Sequence, residues 1–260
     1  MKQSSLAFLL LAVAFSLHGK SKWNDDQSWG KYFTKAGVEG CFLLYDLQQD
    51  TYTAYNPKRV NTAFLPASTF KIFNSLVALE TAAVRDENEI LKWDGTERMF
   101  PQWNKDHDLQ SAFKHSAVWF YQEMARRIGP ERMQRYINEI AYGNRDIGGG
   151  IDRFWLDGNL RITAREQVDF LVKLYGDQLP FSQRTIKIVK DIAIAEKTDS
   201  YTLRAKTGWA KEIGWWVGYV ERGDQPYFFA MNIDIKKDDD LPARMAVTRN
   251  ILREMKILEP

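Results

Sequence analysis

The 260-residue chain has one cysteine, Cys41, and three histidines, His18, His107 and His115. A lone cysteine excludes an internal disulfide. It begins the apolar run Cys41-Phe42-Leu43-Leu44-Tyr45 and reads as a small buried side chain rather than a reactive thiol. Scattered histidines and one cysteine do not give the ligand spacing of a hydrolytic zinc site, so no metal is expected. They argue equally against a Ser-His-Asp mechanism. Charge of one sign is also missing. With 36 basic and 34 acidic residues, nothing marks a nucleic-acid or membrane-surface partner. The run Lys236-Lys237-Asp238-Asp239-Asp240 cancels most of its own charge and reads as a solvated loop. No repeat, low-complexity tract or long linker appears.

Long hydrophobic runs are scarce. Leu6 to Leu17 falls short of the roughly 18 apolar residues a membrane span needs. Behind Lys2 it reads as a secretory signal peptide, assigned to residues 1–21. No cysteine lies near position 20, so no lipid anchor is expected. Residues 22–260 are long enough for one sizeable core and read as a single domain.

What is present is three short motifs in order: Ser68-Thr69-Phe70-Lys71, Ser116-Ala117-Val118 and Lys206-Thr207-Gly208. On a helix, Ser68 and Lys71 share a face and can pair as nucleophile and base. The second motif adds a hydroxyl. The third adds a cation and a hydroxyl beside a glycine, which allows close approach to backbone. Together they suit acyl transfer on a substrate carrying a carboxylate. Ser-x-x-Lys also occurs at Ser28/Lys31 and Ser111/Lys114, among polar residues. Ser68 differs, because it opens the run from Phe70 to Leu79, apolar on most sides. A lysine in such a helix is costly unless neutral or paired, so Lys71 requires a function.

The periodicity predicts a short helix from Trp29 to Ala36 and a β-hairpin of Gly40–Asp46 and Thr51–Tyr55. A mostly helical stretch is expected from about Ala82 to Lys197, including Ala117–Ile128, Glu131–Ile140 and Arg165–Tyr175. The last opens with the capping-box pattern Thr163-Ala164-Arg165-Glu166. Strands follow at Tyr201–Lys206, Gly214–Glu221 and Tyr227–Asp234, then a helix from Ala243 to Met255. Strands at both ends imply one mixed α/β fold: an antiparallel sheet flanked by helices, with an inserted all-helical region.

The chain resembles the class D, oxacillinase-type serine β-lactamases. The resemblance rests on Pro66-Ala67-Ser68-Thr69-Phe70-Lys71, Lys92-Trp93-Asp94-Gly95, Ser116-Ala117-Val118, Tyr142-Gly143-Asn144, Phe154-Trp155-Leu156, Arg204-Ala205-Lys206-Thr207-Gly208-Trp209 and Gly214-Trp215-Trp216-Val217-Gly218. No Ser-Asp-Asn occurs, which separates the chain from the class A pattern. The resemblance implies the serine β-lactamase and penicillin-binding transpeptidase fold. It also implies hydrolysis of the β-lactam amide of penicillins, oxacillin-type compounds and some cephalosporins, in the periplasm, by a monomer or homodimer. A β-lactam sensor or penicillin-binding domain that acylates without turnover is the alternative.

By the same resemblance, Ser68 is the nucleophile and Lys71 the general base, carbamylated by CO2, in a pocket of Phe70, Val118, Trp155 and Leu156. Ser116 relays a proton to the leaving nitrogen and Lys206 completes the polar network. Thr207 and Arg244 take the substrate carboxylate, and the backbone N–H groups of Ser68 and Trp209 take the oxyanion. Tyr142-Gly143-Asn144 matches without a derived chemical step. Trp215 and Trp216 read as core. Two departures stand out. Phe73 occupies a position where many relatives carry proline. The connection Trp209-Ala210-Lys211-Glu212-Ile213 is short, which puts carbapenem hydrolysis in doubt.

Overall fold

The computed structural model describes residues 21–259; the expected signal peptide lies almost wholly outside them. The chain runs β1 (Lys22–Asp25), α1 (Gly30–Ala36), β2 (Gly40–Asp46), β3 (Thr51–Tyr55), α2 (Pro57–Val60), α3 (Lys71–Glu80), α4 (Leu109–His115), α5 (Val118–Ile128), α6 (Pro130–Ile140), α7 (Ala164–Tyr175), α8 (Gln183–Ile192), β4 (Ile194–Lys197), β5 (Thr202–Ala210), β6 (Ile213–Arg222), β7 (Gln225–Asp234) and α9 (Ala243–Glu254). The strands form one sheet in the order β1-β3-β2-β7-β6-β5-β4. Strand β2 pairs with β7, with Phe42 opposite Met231, so the two ends of the chain join at the centre of the sheet. No helix among the described residues is long and apolar enough to cross a membrane.

The central strands are buried on both faces, which explains their nearly continuous hydrophobic runs. Alternate residues serve different layers. Phe42 and Leu44, Trp216 and Val220, and Phe229 and Met231 pack with Trp29 and Phe33 of the N-terminal segment and Val247 and Ile251 of α9. Their neighbours Cys41, Leu43, Trp215, Val217, Phe228 and Ala230 pack toward α3, α5 and α7. Cys41 is fully enclosed, and burial pushes its thiol up to about 12, consistent with an inert packing residue.

Three features depart from the sequence reading. Strand β1 was not expected; it is polar and exposed, and joins the edge in parallel with β3, so the sheet is not wholly antiparallel. Strand β4 is likewise an exposed edge strand, with a register shift, where a helix was expected. The segment from Ala82 to Lys197 is also less helical than its pattern suggested. Residues 82–108 hold a three-residue 3₁₀ helix, Pro101–Trp103, one isolated bridge between Leu91 and His107, and local turns; Asp86 and Asp94 fold two of these by accepting from the N–H groups of Asn88 and Thr96. Residues 141–163 form a glycine-rich loop. Local side-chain acceptors and glycines favour turns there over a helix.

Helix α7 begins as its sequence suggests. The Thr163 side chain accepts from the Glu166 N–H, and the Glu166 carboxylate accepts from the Thr163 N–H. Its Gln167 amide donates to the Thr69 hydroxyl at 2.7 Å, tying α7 to the turn that carries Ser68. Thr163→Ala is expected to lower the unfolding free energy by about 1 kcal/mol, while Thr163→Ser retains most of it. Urea unfolding of the two variants checks this; an unchanged midpoint for Thr163→Ala would show that the cap contributes nothing.

Candidate active site

Ser68 sits on a tight 3₁₀ turn, Ala67–Phe70, that runs directly into α3. Ala67 adopts φ of +50°, a left-handed conformation that redirects the chain just before the nucleophile position. Such backbone strain persists only where surroundings hold it, and they do. The Ala67 N–H donates to the Trp155 carbonyl at 3.0 Å. The Thr69 hydroxyl donates to the Pro66 carbonyl at 2.7 Å, and the Trp215 indole to the Leu65 carbonyl at 2.9 Å.

Lys71 is completely buried, and its Nζ lies 2.8 Å from Ser68 Oγ. Burial holds its amine well below the ordinary lysine range, and the nearby Lys206 lowers it further. A neutral amine so placed can accept the Ser68 proton. Its surroundings are aromatic. Phe70 stacks on Trp155 at 5.3 Å, and the Lys71 ammonium position lies 5.0 Å from the Tyr121 ring centre. Tyr121 was not anticipated, although it stands one turn after Val118 on α5. Leu156 is only partly buried and packs at the margin of the core.

Ser116, between α4 and α5, adopts φ of +55°, which turns the chain between the two helices. Its hydroxyl takes a hydrogen bond from Lys206 Nζ at 2.5 Å. Lys206 is buried on β5 and held down to about 7, chiefly by burial and then by the charge of Arg244. Arg244, in the first turn of α9, donates to the Gly208 carbonyl at 2.6 Å. Burial lowers even this guanidinium, to about 10. Its Nε is buried without a hydrogen-bond partner.

These groups share one cleft of about 270 Å³, lined by Ser68, Ser116, Val118, Thr207, Gly208, Trp209 and Arg244 of the expected set. Lys71, Lys206, Phe70 and Trp155 lie buried around it. The lining adds Phe100, Gln102, Trp103, Lys114 and His115, which the sequence did not single out. His115 is half-buried at the cleft wall. His107 is structural: its ring bonds the Ser111 hydroxyl and the Gln102 carbonyl. No carboxylate lines the cleft among the described residues, so a bound anion meets cations and neutral donors.

Gly208 has a further role beyond the one expected. A Cβ there would lie 3.0 Å from the Pro66 carbonyl oxygen and 3.1 Å from Thr69 Cγ2. The glycine lets β5 close against the nucleophile turn, and so fixes the cleft's width. The short connection after Trp209 is a two-residue turn, Lys211-Glu212, between β5 and β6.

A carbamate on Lys71 would need a neutral amine, an apolar enclosure and a donor for its oxygens. The first two are present, and the Trp155 indole N–H is buried with no hydrogen-bond partner. The residues fit the group.

Comparison with known proteins identifies relatives of the chain. Residues 40–253 match the family of penicillin-binding protein transpeptidase domains. Beta-lactamase OXA-48 of Klebsiella pneumoniae is 44% identical over 258 residues, covering 98% of this chain and 97% of that protein. Beta-lactamase OXA-5 of Pseudomonas aeruginosa is 42% identical over 253 residues, 95% of each chain. The crystal structure of a class D β-lactamase, YbXI, from Nostoc superposes with a TM-score of 0.88 at 49% identity, covering 90% of this chain and all (100%) of that one.

The charge coupling in the cleft has a measurable consequence. Lys206 depresses the Lys71 amine, so removing that cation lets the Lys71 amine bind protons more tightly. Lys206→Met is therefore expected to move the acid limb of the pH profile for single-turnover Ser68 acylation to higher pH. A limb that stays in place or moves lower would show that the two amines are not coupled.

Proposed function

The chain belongs to the class D serine β-lactamases, and from that premise we propose that it hydrolyses penicillins, oxacillin-type compounds and some cephalosporins through a Ser68 acyl-enzyme. The observation that carries this reading is the buried Lys71 amine 2.8 Å from Ser68 Oγ. The Ser68 oxygen attacks the lactam carbonyl carbon, and its proton leaves toward the Lys71 side chain. The backbone N–H groups of Ser68 and Trp209 face the developing oxyanion; two such donors typically contribute several kcal/mol. As the C–N bond breaks, Ser116 gives its proton to the departing nitrogen and recovers one through Lys206, to which it is bonded. Thr207 and Arg244 hold the substrate carboxylate, the guanidinium by a charge-assisted hydrogen bond. The proton taken up by Lys71 passes back to restore Lys206; the Lys71 side chain then takes a proton from water, the hydroxide attacks the ester carbonyl, and Ser68 Oγ recovers that proton as its bond to the acyl carbon breaks and the product acid leaves.

Addition of the neutral Lys71 amine to CO2, with loss of one N–H proton, would supply a carboxylate-like base at this point. Trp155 would hold it through the indole N–H, and Phe70, Val118 and Leu156 would limit water. The signal sequence at residues 1–21 would deliver the enzyme to the periplasm, where its antibiotic substrates arrive.

Turnover of a chromogenic cephalosporin, with mass spectrometry of the trapped protein, tests the reading. Wild type is expected to turn over, and to gain one drug mass on Ser68 when quenched; Ser68→Ala gains none. Labelling of Ser28 or Ser111 would overturn the nucleophile assignment. A stable adduct without turnover would favour a sensor or penicillin-binding role.

Arg244→Ala is expected to lower kcat/KM for penicillins roughly ten- to a hundredfold, mainly through KM, for loss of a charge-assisted hydrogen bond. A penicillin ester lacks the carboxylate and is expected to lose far less. Equal losses for acid and ester would make Arg244 a structural residue.

A further inference from the structure

Tyr142-Gly143-Asn144 has no place in the chemistry above, yet it contacts both the ring stack that ends on Trp155 and the loop that carries Trp155. Tyr142 is buried among the rings behind the base, 5.7 Å from Phe70 and 4.9 Å from Phe73. Phe73 stacks on Phe70 at 5.3 Å, and Phe70 stacks on Trp155 at the same distance, with interplanar angles of 24° and 25°. Three successively stacked rings thus run from Phe73 through Phe70 to Trp155, with Tyr142 against the Phe73 end.

Gly143 adopts φ of +51°, and a Cβ on it would stand 2.1 Å from the Arg161 carbonyl oxygen. That close approach lets Asn144 grip the far end of the loop. The Asn144 N–H donates to the Arg161 carbonyl at 2.9 Å. Its side-chain oxygen accepts from the Arg161 N–H at 3.0 Å, and its side-chain amide donates to the Asn159 carbonyl at 2.9 Å. Further in, the Asn159 N–H donates to the Gly148 carbonyl at 2.9 Å and the Leu160 N–H to the Phe154 carbonyl at 3.2 Å. The loop from 144 to 161 is closed rung by rung, with Phe154 and Trp155 at its inner end.

We propose that Tyr142-Gly143-Asn144 is a positioning device for Trp155, with Asn144 clamping the base of the loop and Tyr142 bracing the ring stack, so that the indole N–H is held ready for the Lys71 base. The proposal rests on the reading of Lys71 as a carbamate. Asn144 touches neither substrate nor base; it acts through Trp155.

The test uses the full-length mature enzyme, ¹³C-labelled bicarbonate and five forms: wild type, Asn144→Ala, Asn144→Asp, Trp155→Phe and the Asn144→Ala/Trp155→Phe double variant. Two quantities are read, the carbamate carbon signal and the bicarbonate concentration giving half-maximal activity. Thermal midpoints are recorded beside them. Asn144→Ala loses three side-chain hydrogen bonds, to Asn159, Arg161 and Asp146, and is expected to raise the bicarbonate requirement about tenfold. In the Trp155→Phe background the same change is expected to alter it by less than about twofold, because the group it positions is gone. Asn144→Asp keeps the acceptor for the Arg161 N–H and is expected to recover part of the loss. A lowered thermal midpoint with a wild-type bicarbonate requirement would overturn the clamp, and so would equal shifts in both backgrounds. An absent carbamate signal in wild type would instead overturn the Lys71 reading itself, and the proposal with it.

Discussion

Everything in the site depends on keeping one lysine out of water. Lys71 lies at the start of α3, fully buried, with Ser68 Oγ as its hydrogen-bond partner. Carrying a charged ammonium into such a place is expensive, and the group answers by losing its proton. That ties packing to reactivity. The amine lies 5.0 Å from the Tyr121 ring in the core that also holds Trp155, Phe70, Phe73, Tyr142 and Phe154, and that enclosure disfavours its protonated form.

The cations are arranged in series. Arg244 lowers Lys206, and Lys206 lowers Lys71. Burial is the larger cause for both amines, and the cation next to each adds to it by disfavouring the protonated form. No carboxylate lines the cleft among the described residues to reverse the effect. The same positive charge suits a substrate carboxylate, so one charge distribution serves both binding and base activation. The sheet makes this possible. Strand β5 carries Lys206, Thr207 and Gly208, and the missing side chain of Gly208 brings it against the turn bearing Ser68.

Much of this was legible in the residues. The β2–β3 hairpin ends where its turn-forming residues and alternation put it, and the capping box at Thr163 forms as written. Ser68, Lys71, Ser116 and Lys206 were marked by short motifs, and by the oddity of a lysine in an apolar helix. The parts that were missed lack such signals. Strands β1 and β4 are exposed edges without an apolar face, so period-2 alternation cannot reveal them. Residues 82–108 carry apolar side chains near helical spacing, but Asp86 and Asp94 fold the backbone locally into turns. Tyr121, Phe100 and Trp103 reach the site from separate segments, and pairing of that kind is set by the tertiary fold. Tyr142-Gly143-Asn144 was visible as a motif, but its partners Asn159 and Arg161 are brought to it only by closure of the loop.

The central claim is that burial holds the Lys71 amine neutral at working pH. NMR of selectively labelled lysine, followed through a pH titration in CO2-free buffer and assigned with Lys71→Ala, measures this directly. The account expects the Lys71 signal to titrate well below the ordinary lysine value of about 10.4. A Lys71 signal that keeps its ammonium form up to pH of about 10 would contradict it.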